Sequence, residues 1–361
     1  MIFFVILAVA LWCIGALAGV PYRVRYAMIG MLYLGFLAAL LILPADHGLR
    51  TRIGGDIREW LVAGVATLLV WAYVRWLAAL KARRQAPPAT SPTAKSGTFS
   101  ETELKRYARH IVLRELGGAG QKKLKSAQVL VVGAGGLGSP ALLYLAAAGV
   151  GTIGIVDDDE VGDSNLQRQV IHRDRDVGTP KVFSAERAMK ARNPAVNVRP
   201  HHRRLTEEIA ADLIGDYDIV LDGSDNFDTR YLVNRVCSEA EVPLVSGALS
   251  QWEGQISVFD PARGAPCYRC VFPKAPAPDL VPSCAEAGVL GPLPGAIGAM
   301  MAIEAVKVVT GTGTPMRGRM LIYDALQGET RQFTVRPRPD CTVCGKTGRG
   351  KVRNPSQSIS S

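Results

Sequence analysis

Apolar positions follow two different patterns along this chain, and the change comes near residue 100. Before it, residues 1–20 run without a charge, residues 26–44 are nearly as apolar, and residues 60–80 carry only Arg75. Each run is about the 20 residues a helix needs to cross a bilayer. Beyond Phe99 the apolar runs are short and alternate with mixed segments. Ser100 followed by Glu103 predicts a capped helix start, with the helix running through Leu104, Tyr107 and His110 to Leu113. Strands are predicted over residues 129–132, 152–156, 196–200, 218–221 and 243–247. Helices are predicted from near Pro140 and over 180–192, 206–214 and 225–241. Alternation at these lengths predicts an open, mostly parallel α/β sheet. From Trp252 the texture changes, and residues 254–259 and 319–323 read as antiparallel strands flanking a helix over 296–310.

These patterns predict a membrane anchor over residues 1–84 made of three transmembrane helices, with two spans plus an interfacial helix as the alternative. A cleaved signal peptide fits less well, because no basic segment precedes the first run and two more runs follow it. Trp60, Trp71 and Trp76 suit the membrane interface, and Arg75 can snorkel to it. Lys81, Arg83 and Arg84 favour a cytoplasmic exit, although Arg50, Arg52 and Arg58 then fall outside. Residues 85–98 (rich in Pro, Ala, Ser and Thr) read as a flexible linker, 99–345 as the globular domain, and 346–361 as a disordered basic tail. The formal charge of +10 suggests nucleic acid until it is located. Residues 1–100 hold 10 Lys/Arg against 3 Asp/Glu, the tail adds four positives, and residues 101–345 hold 28 against 29. The excess suits an anionic membrane surface, and no nucleic-acid partner is expected.

Chemistry concentrates in VVGAGGLGSP, residues 131–140. Gly133, Gly135, Gly136 and Gly138 turn a strand into a helix where a Cβ would block both the turn and a close phosphate or ribose. Asp157 ends the next strand, where a fingerprint acid binds a ribose hydroxyl. That much fits any mononucleotide or dinucleotide binder, including an NAD-dependent dehydrogenase. The run Ser164-Asn165-Leu166-Gln167-Arg168-Gln169 narrows the choice by bringing Asn165 and Arg168 beside the same nucleotide. No Lys-Ser/Thr follows the glycines, so ATP phosphates would need separate cations such as Arg168, Lys181 and Arg109. Each of these, taken alone, reads first as a solvated surface charge. Asp225, just past a strand end, is a magnesium ligand or the N-cap of the helix it opens.

Cys267-x-x-Cys270 and Cys341-x-x-Cys344 can supply four thiolates to a structural zinc, with disulfide or redox pairs as the alternative. Cys284 lies in a Pro/Gly-rich loop, as either an accessible nucleophile or a plain free cysteine. Cys13 and Cys237 read as packing residues, and His201 and His202 as solvated.

With RYARHIVLRELGGAGQ, VLVVGAGGLGSP, IVDDDEVGDSNLQRQ, GTPK, DGSDN, SGA, EGQISVF, CYRC, CAEAGVLGPLPG and CTVCG in this order, residues 99–345 resemble the ThiF/MoeB/HesA family. These are bacterial relatives of ubiquitin-activating enzymes, and the molybdopterin-synthase adenylyltransferase branch is the most similar. The resemblance implies a Rossmann-like, mostly parallel sheet with an antiparallel extension and a structural zinc site, here preceded by transmembrane helices. It implies an adenylyltransferase that uses MgATP to activate the C-terminal glycine of a ubiquitin-like sulfur-carrier protein of the MoaD or ThiS kind. Carried over, Gly136 and Asp157 hold the nucleotide and its ribose, Asn165, Arg168 and Lys181 the phosphates, and Asp225 the magnesium. Gly133, Gly135, Gly138, Ser164, Leu166, Gln167 and Asn226 are counted in the same nucleotide site. Arg109 matches an arginine that reaches the partner subunit's ATP in a homodimer, the four paired cysteines match zinc ligands, and Cys284 matches a reactive thiol.

Two features depart from the family. The apolar spans are not part of it, and imply a multi-pass inner-membrane protein with a cytoplasmic catalytic domain. The rhodanese extension of some relatives is missing, so sulfur is expected from a separate sulfurtransferase or cysteine desulfurase. Rival readings are the thiamine branch or another sulfur carrier, a dehydrogenase (which leaves Arg168, Lys181 and Asp225 unexplained), and a non-catalytic membrane scaffold.

Overall fold

A computed structural model of the chain describes residues 2–18, 20, 22–44, 47–54, 56–85, 99–275 and 288–345. Cys284, residues 86–98 of the expected linker and the expected tail 346–361 lie outside the described residues. The chain divides into two compact units, Met1–Thr93 and Ala94–Ser361.

The first unit holds helices α1 (Ile2–Leu17), α2 (Tyr22–Ile42), α3 (Gly48–Ile53) and α4 (Ile57–Gln85). Its small core forms around Trp60, Leu40 and Ile53, with Phe4, Tyr33 and Phe36 packed against them. The Phe4 ring meets the Trp60 ring edge-on at 5.5 Å, and Trp60 Nε1 donates to the Gly54 carbonyl at 2.9 Å. Trp60 therefore faces the interior of this unit, which corrects the interfacial position expected for it. Trp71 and Trp76 are exposed, as are Val9, Leu34, Val65 and Leu68, the reverse of a helix bundle turned toward water. Among the described residues, Val24–Ile42 is long and apolar enough to cross a membrane. The first expected span falls short, because 16 residues in α1 reach about 24 Å and a bilayer core is about 30 Å. The third expected run lies in α4, whose side chains are described only in part. Length and apolarity do not decide the matter alone, since Pro292–Thr310 of the second unit passes the same test while half buried.

The second unit opens with α5 (Glu101–Ile111), where Ser100 Oγ accepts from the Glu103 N–H and the Glu103 carboxylate accepts from the Ser100 N–H. The order continues α6 (Gly117–Ser126), β1 (Gln128–Val132), α7 (Gly138–Ala148), β2 (Thr152–Asp157), α8 (Lys181–Arg192), β3 (Asn197–His202), α9 (Glu207–Gly215) and β4 (Ile219–Asp222). Then come α10 (Phe227–Glu239), β5 (Leu244–Leu249), β6 (Glu253–Phe259), α11 (Tyr268–Val271), α12 (Pro292–Thr310), β7 (Arg319–Asp324) and β8 (Glu329–Thr334). The eight strands form one sheet in the order β3-β2-β1-β4-β5-β6-β7-β8. Pairing is parallel from β3 to β5 and antiparallel from β5 to β8, which is the α/β sheet with an antiparallel extension expected above.

Both faces of the central strands are covered, which is why they read as continuous apolar runs. Val129 and Val131 pack with Leu142 of α7, Val182 of α8 and Ile297 of α12. Leu130 and Val132 point the other way, to Ile214 of α9 and Val236 of α10. Differences from expectation fall at edges. α12 starts at Pro292 rather than residue 296, because proline at the first helical turn costs no hydrogen bond. β8 was not predicted, since all six of its residues (ETRQFT) are exposed and leave no alternation to read.

Candidate active site

The second unit's chemistry lies at the C-terminal ends of β1, β2 and β4. In the order β2-β1-β4 the chain leaves β1 toward opposite sides, and such a switch point opens a crevice. The glycine loop is required there by sterics. Gly133 has φ +90°, a left-handed conformation, and a Cβ on Gly138 would lie 1.9 Å from the Gly133 oxygen. The chain thus turns straight from β1 into α7, whose N-terminus faces an anion-favouring position. A cavity of about 1360 Å³ opens beside the loop, lined by Gly133, Gly135, Gly136, Asp157, Arg168, Lys181, Asp225 and Asn226 among others. Eight of the residues singled out in the sequence therefore meet around one space.

Each has a defined set of partners. Asp157 Oδ2 accepts from the Ala134 N–H at 2.7 Å, and Oδ1 from the Asp159 N–H at 2.8 Å. Burial pushes its carboxyl above the ordinary value, against the pull of Lys181 and those two N–H groups. Lys181 is buried and pairs with Asp159 at 2.6 Å. Arg168 Nη1 donates to the Ser164 carbonyl at 2.9 Å. Asp225 is exposed and has no hydrogen bond or ion pair among the described residues. The capping role weighed for Asp225 falls instead to Asn226, whose Oδ1 accepts from the Thr229 N–H at 2.9 Å.

The rest of the SNLQRQ run supports the site more than it lines it. Asn165 Oδ1 accepts from the Gly162 N–H at 3.0 Å, and Ser164 uses its carbonyl to hold Arg168. Gln167 abuts Gly291, where a Cβ would meet its Oε1 at 2.6 Å. Ser164, Asn165, Leu166 and Gln167 do not line the cavity, nor do Gly138 and the exposed Arg109 on α5.

Sequence reasoning missed several lining residues. Arg230 on α10 is 6% exposed, donates to the Ser224 carbonyl and to Ser246 Oγ, and faces Asp222 Oδ2 at 3.6 Å. Its partners come from β4 and β5, so only the folded sheet reveals that it is buried. Arg203, Arg204 and Lys274 add further positive charge. Gln169 is 4% exposed and its Oε1 has no partner among the described residues. The signal for Gln169 was in the run already singled out.

The second centre is the cysteine cluster. Sulfurs of Cys267, Cys270, Cys341 and Cys344 lie within 4.8 Å of one another, and all four residues are buried. Neighbouring Sγ–Sγ distances are 3.9, 3.5 and 3.3 Å. Zinc–sulfur bonds of about 2.3 Å in a tetrahedron require sulfur–sulfur edges near 3.8 Å, so the donor set fits a structural zinc. The hydrogen bond shared by Cys267 and Cys344 draws the Cys344 thiol down and pushes the Cys267 thiol up, and burial raises Cys270, a crowding of sulfur that a bound cation would relieve. Asp157, Asp158 and Asp159 also converge as a group able to hold a cation, and Asp225 is not part of that group. Cys237 is buried as expected of a packing residue, and Cys13 is exposed.

Comparisons with known proteins agree with this geometry. A profile described as the ThiF family matches residues 107–343. The chain is 51% identical over 251 residues to a "Sulfur carrier protein adenylyltransferase" of Thermus thermophilus, covering 68% of this chain and 93% of the relative. It is 50% identical over 251 residues to a "SAMP-activating enzyme E1" of Haloferax volcanii, covering 70% of this chain and 92% of that protein. In fold it is similar to the solved structure of E. coli MccB with ATP, with TM-score 0.59 and 22% identity over 68% of this chain and 75% of that one.

Proposed function

Since the chain belongs to the ThiF family, we propose that it adenylates the C-terminal glycine of a ubiquitin-like sulfur-carrier protein at the expense of ATP. The chain is an adenylyltransferase. The observation that carries the reading is the meeting of the glycine loop, Arg168, Lys181, Arg230 and the unpaired Asp225 around one cavity. The dehydrogenase reading leaves Arg168, Lys181 and Asp225 together without a role.

The reaction joins two anions. A carboxylate oxygen of the carrier attacks the α-phosphorus of ATP, the bond from that phosphorus to the β-phosphate bridge breaks, and pyrophosphate leaves with the electron pair. No proton is transferred, so the site needs positive charge and alignment rather than a general base. Asp157 receives a ribose hydroxyl on the lone pairs its two backbone contacts leave free. Lys181 turns part of its charge from Asp159 toward phosphate, and Arg168, held by Ser164, faces the triphosphate. Asp225 would hold magnesium, which would supply positive charge to offset that of the phosphates. Arg109 serves the site of the partner protomer in a homodimer. A zinc held by the four sulfurs would have no open position, and would tie α11 to residues 341–344 without entering the reaction.

Our first choice of carrier is the molybdopterin type, with a separate sulfurtransferase or cysteine desulfurase supplying sulfur. A thiamine-type carrier is the alternative. The first unit acts as a membrane anchor that keeps the catalytic unit at the cytoplasmic face, a reading supported by Val24–Ile42 and the outward apolar side chains. If a covalent carrier adduct forms, the Cys284 sulfur displaces AMP from the acyl-adenylate to make it, so Cys284→Ala should retain adenylation and lose only that adduct.

ATP–pyrophosphate exchange with a panel of carriers tests the reading. Exchange that depends on one carrier supports it and names the pathway. No exchange with any carrier, combined with tight binding of a nicotinamide dinucleotide, would overturn it.

A further inference from the structure

A buried line of polar groups joins α8 to the glycine loop, and none of the roles above uses it. His172 is 6% exposed, with Nε2 3.0 Å from the Ala134 carbonyl and Nδ1 2.9 Å from Ser184 Oγ. Ser184 Oγ also lies 2.9 Å from Asp176 Oδ2, and Arg187 Nη2 donates to Asp176 Oδ1 at 2.8 Å. A carbonyl can only accept, so Nε2 carries a proton and donates to Ala134. Ser184 gives its one hydroxyl proton to the Asp176 carboxylate, which can only accept, so the Ser184 oxygen is what faces Nδ1. Burial pushes His172 below its ordinary value, and the Nε2 proton that holds Ala134 does not depend on that contact.

Ala134 is held from both sides. Its N–H goes to Asp157 and its carbonyl to His172 at 3.0 Å, with the Ser139 hydroxyl a more distant second donor at 3.4 Å, and these contacts fix the two successive peptide planes that flank it. In a trans peptide the carbonyl and the next N–H point in opposite directions. With the Ala134 carbonyl turned to His172, the Gly135 N–H points away from the ring. Gly135 lines the cavity, and its N–H has no partner among the described residues. The line also closes on itself, since Asp157 accepts from the Asp159 N–H and Asp159 pairs with Lys181, the first residue of α8.

We infer that His172 is a positioning residue for the nucleotide, holding the Ala134 carbonyl so that the Gly135 N–H is presented to a phosphate oxygen. The inference rests on the nucleotide reading of the cavity. His172 touches neither substrate nor magnesium. It acts through one peptide, and its effect belongs to ATP affinity more than to the chemical step.

The test is ATP binding to the full-length chain by calorimetry, with thermal unfolding measured beside it. His172→Leu removes the donor and should weaken ATP by roughly tenfold to a hundredfold, the worth of a buried hydrogen bond left unmade. His172→Gln places an amide N–H near the Nε2 position and should bind within about threefold of wild type, since it restores that one hydrogen bond. Loss of affinity in His172→Leu and in Asp157→Asn should be less than additive when combined, because both act on the same residue. Ser184→Ala, which frees the ring without removing it, gives a smaller loss and serves if His172→Leu does not fold. Wild-type binding with equal binding by folded His172→Leu or, where that variant does not fold, by Ser184→Ala overturns this inference alone. A Gln variant folded but as weak as the Leu variant overturns it too. A wild-type chain that binds no ATP overturns the nucleotide reading and this inference together.

Discussion

The glycine-loop cleft and the cysteine cluster lie in the same unit and follow opposite rules. In the cleft, polar groups are brought close and left incomplete: among the described residues Asp225, Gln169 Oε1 and the Gly135 N–H have no partner, all beside about 1360 Å³ of space. In the cluster, four buried sulfurs lie within 4.8 Å of one another around a space that a single zinc would fill. Unsatisfied buried groups cost stability and create affinity for whatever completes them. A closed donor set gives stability and nothing else. The first centre therefore belongs to turnover and the second to folding.

Exchanging substitutions between the two should separate those consequences. The largest effect is expected at the cluster, where Cys270→Ser or a strong chelator should lower the stability of the folded unit by several kcal/mol. Metal analysis of the wild type should return about one zinc per chain, the number for one four-sulfur site. Finding no metal and an unchanged melting temperature after chelation would remove the distinction. In the cleft, Asp225→Ala should reduce carrier adenylation by roughly 10²- to 10³-fold. Because Asp225 has no partner to lose, its stability should stay within about 0.5 kcal/mol of wild type. A variant that unfolds would reassign Asp225 to structure, and one that reacts normally would remove it from the site.

A smaller effect concerns pH. Unfolded histidine titrates near 6.5 and folded His172 lies lower, so on acidification the unfolded chain takes up the proton first. His172 thus contributes stability that is fully present above about pH 6.5 and is lost as pH falls through its folded value. Urea midpoints at neutral and mildly acidic pH should show this loss in wild type and less of it in His172→Gln. Equal slopes would mean that His172 titrates alike in the folded and unfolded chain. The smallest effect is expected from the first unit. A chain beginning near residue 98 should adenylate its carrier within a few-fold of the full chain, and a large loss would draw the helical unit into catalysis.

What the sequence revealed depended on how local each cause is. β1 was plain because Val129–Val132 is apolar on both faces, and α5 because Ser100 and Glu103 form a capping box within one turn. The cysteine pairs were legible from their spacing, although 74 residues separate the sulfurs of Cys270 and Cys344 that meet at 3.3 Å. Arg230 was hidden because its partners Asp222 and Ser246 come from two other strands. His172 was hidden for the same reason, since Ala134 lies 38 residues away and only the fold puts them together. The choice at Asp225 turned on a one-residue shift: α10 begins at Phe227, which gives the cap to Asn226. Trp60 was misplaced because an apolar run does not say which residue faces its neighbours, and here the buried face is Trp60's.

The central claim is that the cleft forms an acyl-adenylate on a carrier's C-terminal glycine. Intact-mass spectrometry of a candidate carrier, incubated with the chain and MgATP and quenched in acid, tests it most directly. The account predicts a carrier that gains one AMP on its last residue with wild type and gains it roughly 10²- to 10³-fold more slowly with Asp225→Ala. A carrier left unmodified by wild type, with ATP either untouched or simply hydrolysed, would contradict it.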